Sequence, residues 1–138
     1  MKEFIVREPV SLLATDVSGD IVNFTRVLQY LEMGEREALE DLRINLGNPY
    51  SDGVLVPHVH VELGYYCPLF VGQWVEIRTV CQRIGHSSLT WRHEIFREEE
   101  CCVSGFTTSV WLERQGGKPT RVPAAWRQYL GCRSNGRA

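Results

Sequence analysis

From Val56 onward the chain alternates apolar and polar residues with period two. The clearest runs are Val56 to Leu63, Trp74 to Ile84, Ser88 to Phe96 and Cys101 to Leu112. Side chains on a strand point alternately to opposite faces, so each run predicts a half-buried strand. Turn residues separate them: Cys67-Pro68 with Gly72, Gly85-His86-Ser87, Glu98-Glu99-Glu100 and Gly116-Gly117. Connections this short predict antiparallel neighbours. Residues 3–14 alternate more loosely and predict a first strand. Pro9 places it at a sheet edge or bulge, since proline cannot donate to the ladder.

Between these strands the period changes. Val27, Leu28, Leu31, Ala38, Leu39 and Leu42 recur at spacings of three and four, which predicts one long helix over about 23–44 with a single apolar face. Asn23 is suited to cap its start. Glu32 to Glu37 read as its polar middle. A short helical turn is predicted within Val122 to Leu130, after Pro123. One strand, one long helix and four further strands make an α+β layer arrangement in a single domain spanning 1–138, with 131–138 as a flexible tail. One helix covers part of one sheet face, and the strands carry Trp74, Trp91, Phe106 and Trp111. The leftover apolar surface predicts association with a second copy.

The composition is ordinary for a globular chain: 43% hydrophobic, 23% charged, net charge −2 and pI near 6.1. That balance argues against nucleic acid as a partner. No apolar run is long enough to cross a membrane. The opening MKEFIVREPV lacks the apolar stretch of a signal peptide, which predicts a cytoplasmic location. Five cysteines, Cys67, Cys81, Cys101, Cys102 and Cys132, show no metal-ligand spacing and read as thiols filling small spaces. Cys101 and Cys102 point to opposite faces in a strand, which disfavours joint metal binding.

Asp16 stands out chemically. It lies in the turn Thr15-Asp16-Val17-Ser18-Gly19-Asp20, feeding the start of the long helix. A helix start offers unsatisfied N–H groups and a partial positive charge, which polarise a carbonyl oxygen. A carboxylate nearby can attack that carbonyl or activate water. Gly19 lets the backbone approach a ligand closely. The competing reading is an aspartate that merely stabilises its turn. A second group, His58, His60 and Glu62, shares one strand face. Two imidazoles and a carboxylate suit a metal, but a solvated or intersubunit face explains them as well, and no metal is expected.

The stretch Leu13-Ala14-Thr15-Asp16-Val17-Ser18-Gly19-Asp20-Ile21-Val22-Asn23-Phe24 resembles the signature of the 4-hydroxybenzoyl-CoA thioesterase family. Further matches follow in order: Tyr30-Leu31-Glu32 in the helix, Val54 to Pro68 with its Tyr65-Tyr66 pair, Gly72 to Ile77, Ile84 to Ser88, and Lys118 to Pro123. The resemblance spans about residues 4–130. It implies a hotdog fold, in which a five- to six-stranded antiparallel sheet wraps one long central helix. It implies a homodimer, and often a tetramer, with the active site between subunits.

By the same resemblance Asp16 acts as nucleophile or general base, and the N–H of Asn23 or Phe24 holds the thioester oxygen. The substrate is an acyl-CoA or acyl-carrier-protein thioester, and no cofactor is implied. Gly19, Tyr30, His60, Ser87 and Ser88 become candidates for substrate contact, although Ser87 and Ser88 also suit plain turn chemistry. Asp20, Asn23, Phe24 and Arg26 depart from residues common in the family. Some hotdog enzymes carry the catalytic carboxylate within the helix, where Glu32 and Glu35 stand here. Two other functions stay open: a hotdog dehydratase or hydratase, which pairs a histidine with an acid, and a non-catalytic acyl-thioester-binding module.

Overall fold

The computed structural model describes residues 1–11, 19–48, 50 and 53–132. The elements run β1 (Glu3–Pro9), α1 (Phe24–Leu46), β2 (Val54–Leu55), β3 (His58–Tyr65), β4 (Trp74–Ile84), β5 (Ser88–Arg97), β6 (Glu100–Val110), β7 (Leu112–Glu113) and α2 (Ala125–Leu130). Five strands form one antiparallel sheet in the order β1-β4-β5-β6-β3, and β2 pairs with β7 beside it. Pro9 ends β1, which is an edge strand as its proline requires.

The central helix starts where its cap dictates. The Asn23 side chain accepts the Arg26 N–H at 2.7 Å, and helical bonding begins when the Asn23 carbonyl accepts the Val27 N–H. Val27, Leu31, Ala38 and Leu42 form the buried stripe expected from their spacing. The predicted polar middle differs, because Gly34 and Glu35 are buried too. A side chain at Gly34 would collide with Thr79 of β4, so glycine lets the helix lie close against the sheet. That approach carries the neighbouring Glu35 carboxylate inside.

One part of the core joins Val27, Tyr30 and Leu31 to Val75, Ile77, Ile95 and Val103. The other joins Ala38 and Leu42 to Trp91, Trp111, Trp126 and Leu130, with Trp111 and Trp126 edge to face at 5.3 Å. α2 is what closes this second part. After it Gly131 adopts a left-handed φ of 68° and turns the chain back toward β4.

The expectation of five free thiols is corrected here. Cys81 of β4 is disulfide-bonded to Cys132, with Cα atoms 5.5 Å apart, while Cys67, Cys101 and Cys102 are free. The pairing depends on α2 docking against the sheet, which spacing alone does not show. By loop-closure entropy a bond across 51 residues contributes up to about 4 kcal/mol. Cys132→Ser is therefore expected to lower the free energy of unfolding by about 2–4 kcal/mol in denaturant titration. Among the described residues no helix is long and apolar enough to cross a membrane.

Candidate active site

Asp16 lies outside the described residues. The helix start it leads into is described. Gly19 has φ of 84°, in the left-handed region that glycine alone adopts freely. Asn23 is engaged as the cap, and the Thr25 hydroxyl also donates to its side chain, at 2.7 Å. The Phe24 N–H is the first of the helix and has no acceptor within it, as the geometry of any α-helix requires. Phe24 itself is 69% exposed. Tyr30, further along the helix, is fully buried, and its hydroxyl has no hydrogen-bond partner among the described residues.

A second group of polar residues, scattered in the sequence, meets between α1 and side chains of β3, β4, β5 and β6. Glu35 is 6% exposed, and one of its carboxylate oxygens accepts a short hydrogen bond from the Thr107 hydroxyl. The other lies 2.8 Å from Nε2 of His58. His93, fully buried, contacts Thr107 Oγ1 through Nε2 at 2.9 Å and Thr79 Oγ1 through Nδ1 at 2.9 Å. Because the Thr107 proton goes to Glu35, Thr107 accepts from His93, which places a hydrogen on Nε2. The chain Thr79–His93–Thr107–Glu35–His58 thus runs from the core to a half-exposed imidazole. Burial pushes the Glu35 carboxyl up, but the His93 imidazole, whose Nε2 lies 3.7 Å from Oε1, the hydrogen bond from Thr107 and the nearby His58 together outweigh it and hold the group below the usual glutamate range.

This carboxylate borders an open cleft of about 190 Å³ lined by Leu28, Leu31, Glu32, His58, Val61 and Thr107. Apolar walls around a few convergent polar groups are what a small-molecule site requires. A wider depression of about 770 Å³ crosses the ends of β1, β4 and β5 near Arg7, Trp74 and Phe96, away from all the predicted site residues.

The predicted sharing of a face by His58, His60 and Glu62 does not hold. A bulge falls between His58 and His60, which oppose the successive residues Ser109 and Thr108. The extra residue inverts the alternation. His58 therefore turns toward Glu35, while His60 turns to the other face and lies 3.3 Å from Glu62. Ser87 and Ser88 sit in the β4–β5 turn, both buried. The Ser88 carbonyl accepts the Gly85 N–H at 2.9 Å, and the Ser87 carbonyl accepts the Trp111 N–H at 2.7 Å. Neither lines the Glu35 cleft. Glu32 lies at its rim, ion-paired with Arg36 at 2.9 Å. The sequence reading missed His93 and Thr107. Their one signal was a histidine and a threonine on the inward phase of adjacent strands.

Sheet order, the central antiparallel ladder and the long helix packed on it define a hotdog fold. The profile of the Thioesterase superfamily matches residues 19–103, and the chain belongs to that superfamily. It is a thioester hydrolase, similar to acyl-CoA thioesterases. The 1,4-dihydroxy-2-naphthoyl-CoA hydrolase of Gloeothece citriformis is 28% identical over 125 residues, spanning 88% of this chain and 87% of that protein. A protein from Bacillus stearothermophilus, described as a predicted thioesterase, superposes with a TM-score of 0.78 at 26% identity, covering 94% of this chain and 95% of that one. The dynemicin thioesterase shares the fold with a TM-score of 0.82 at 20% identity, covering 94% and 96%.

Proposed function

We infer that this protein hydrolyses an aryl-CoA thioester in a site shared between two copies of the chain. Asp16 acts as nucleophile or general base, and the Phe24 N–H polarises the thioester carbonyl. The observation that carries this reading is the helix start. The Asn23 cap consumes the Arg26 N–H and leaves the Phe24 N–H at the positive end of a 23-residue helix. Of the two candidate donors, Asn23 and Phe24, we take the Phe24 N–H because it is the first inside the helix. The family resemblance around Asp16 supports its role. The naphthoyl-CoA hydrolases among its relatives support an aromatic acyl group.

The two-copy reading is supported by the family resemblance and by an exposed apolar edge of the sheet. β3 supplies the means of association. Among the described residues its outer edge pairs with no strand, and Val59, Val61 and Tyr65 are exposed, with Tyr66 just beyond its end. Such an edge is a ready template for pairing with another strand. Two copies joined along β3 would form one continuous sheet and cover the cleft at Val61. Val61→Asp is expected to convert the dimer to monomer in sedimentation and to abolish thiol release. A monomeric variant with full activity would remove the shared site.

One observation favours a second reading of the chemistry. The Glu35–His58 pair is a carboxylate-oriented imidazole at an apolar cleft, which is the arrangement of a general acid–base unit. In that case hydrolysis, or hydration of an unsaturated acyl thioester, would run through Glu35 and His58. The deciding experiment is thiol release from aryl-, short- and long-chain acyl-CoAs, with hydration of an enoyl-CoA followed in parallel. Preferential turnover of aryl-CoA supports the proposal. Hydration without thiol release would replace it.

A further inference from the structure

The chain leaves β3 at Tyr65 and doubles back across β6. The Tyr66 and Cys67 N–H groups both donate to the Cys102 carbonyl, at 2.8 and 3.3 Å. Cys67 is thereby anchored beside a strand far away in sequence. Glu100 and Cys102 stand two residues apart on β6, at a bulge where Ile95 faces Val103 and Phe96 faces Cys101. The Cys67 and Cys102 sulfurs and a Glu100 carboxylate oxygen all lie within 4.8 Å of one another. No other such trio occurs among the described residues. Separation along the chain hid it from the sequence reading, which saw no ligand spacing.

We propose that Cys67, Glu100 and Cys102 form a binding site for a thiophilic divalent cation, Zn²⁺, that clips the end of β3 to β6. Zinc takes thiolate sulfur at about 2.3 Å and carboxylate oxygen at about 2.0–2.2 Å in a tetrahedron, so its ligands stand roughly 3.5–3.8 Å apart. Side-chain rotation that draws the three groups in by about 1 Å is enough to reach that spacing. Water fills the fourth position. The burial is graded: Cys102 is buried, Cys67 half-buried and Glu100 exposed, which gives the ion an entry on the carboxylate side.

Charge balances as well. Two thiolates and a carboxylate carry three negative charges, against two on the ion and one on Arg97. The Arg97 guanidinium donates to Glu100 Oε1 at 2.9 Å and to the Pro68 carbonyl at 2.9 Å, so it holds the carboxylate against the loop that bears Cys67 and leaves Oε2 for the ion. On binding, the two thiol protons pass to solvent and two sulfur–zinc bonds replace them. Cys101 takes no part, because its thiol turns to the other face, 3.9 Å from Glu94. No residue of the proposed catalytic site is involved.

The test uses the full chain, chelator-stripped with its free thiols reduced. Zn²⁺ is titrated against a chromophoric competitor, and Cd²⁺ is titrated while the sulfur-to-metal charge-transfer band is followed. One equivalent of Zn²⁺ is expected, with a rise in Tm of about 3 °C or more at saturation. Cys67→Ser is expected to weaken binding about tenfold or more and to remove most of the Cd²⁺ band, Glu100→Gln to weaken it less, and Cys101→Ser to change neither. Cys102 is buried, so Cys102→Ser tests the fold as much as the site, and the partly exposed Cys67 carries the decision. Wild type that takes up no zinc overturns the proposal. So does Cys67→Ser binding as tightly as wild type, or a peptide map showing Cys67 bonded to Cys102 in protein that binds no metal.

Discussion

Asp16→Asn is expected to lower kcat for aryl-CoA hydrolysis by about 10²–10⁴-fold, measured by thiol release under saturating substrate. Asparagine matches aspartate in size and in its preference for turns, so the local backbone can be kept. What it cannot do is attack a carbonyl or take a proton from water. The Phe24 N–H and the rest of the helix start are untouched, so KM should move little and the loss should appear in kcat. Tm is expected to stay within about 3 °C of wild type, which separates lost chemistry from lost fold. Equal activity in the variant would make Asp16 a turn residue and shift attention to the carboxylates of the helix.

Glu35→Gln is expected to act first on stability. The wild-type carboxylate is buried and receives hydrogen bonds from Thr107 and, through its second oxygen, from His58. Hydrogen bonds to a charged group are worth more than neutral ones, and an amide must present a donor where Glu35 accepts. The expected cost is about 1–3 kcal/mol in denaturant titration.

The pH dependence follows from the direction of the Glu35 shift. Its folded-state value lies below that of an unfolded glutamate, so the folded protein holds the ionised form more tightly. The stability gained is fully present above the unfolded value of about 4.3 and is lost as pH falls through the lower folded value. Wild type should therefore lose stability more steeply than Glu35→Gln as pH drops below about 4.3. Parallel acid limbs in the two proteins would show that the carboxylate gains nothing from its partners. Under the Asp16 reading, kcat of Glu35→Gln falls less than about tenfold. A folded variant whose kcat falls as far as that of Asp16→Asn would make Glu35 and His58 the acid–base pair instead.

Cys67 makes a poor candidate nucleophile. Its hydrogen bond to Glu100, with burial and the neighbouring Cys102 adding, pushes its thiol up to about 12, so the reactive thiolate is scarce at neutral pH. Asp16 and Glu35 stay as the carboxylates to separate.

Local pattern determined the elements of this protein. Period-two alternation located β4 at Trp74–Ile84 to the residue, and spacings of three and four located α1 to within two residues at its end. These signals are legible because burial of a face imposes its period on the chain wherever the element is regular. Asn23 as cap and Pro9 at an edge were legible for the same reason, each serving a backbone need that is local. The family resemblance added the fold and the thioesterase class.

Tertiary structure decided the rest, wherever one residue or one contact overrides the local period. A single extra residue between His58 and His60 sends the two imidazoles to opposite faces. A glycine at 34 brings the helix close enough to bury Glu35, which its charged neighbours had marked as solvated. His93 and Thr107 join that carboxylate from two adjacent strands, and Cys81 meets Cys132 only because α2 docks. Each pairing depends on packing between segments distant in the chain. No periodicity records it, because the free energy that fixes it comes from long-range contact and not from the preferences of neighbouring residues.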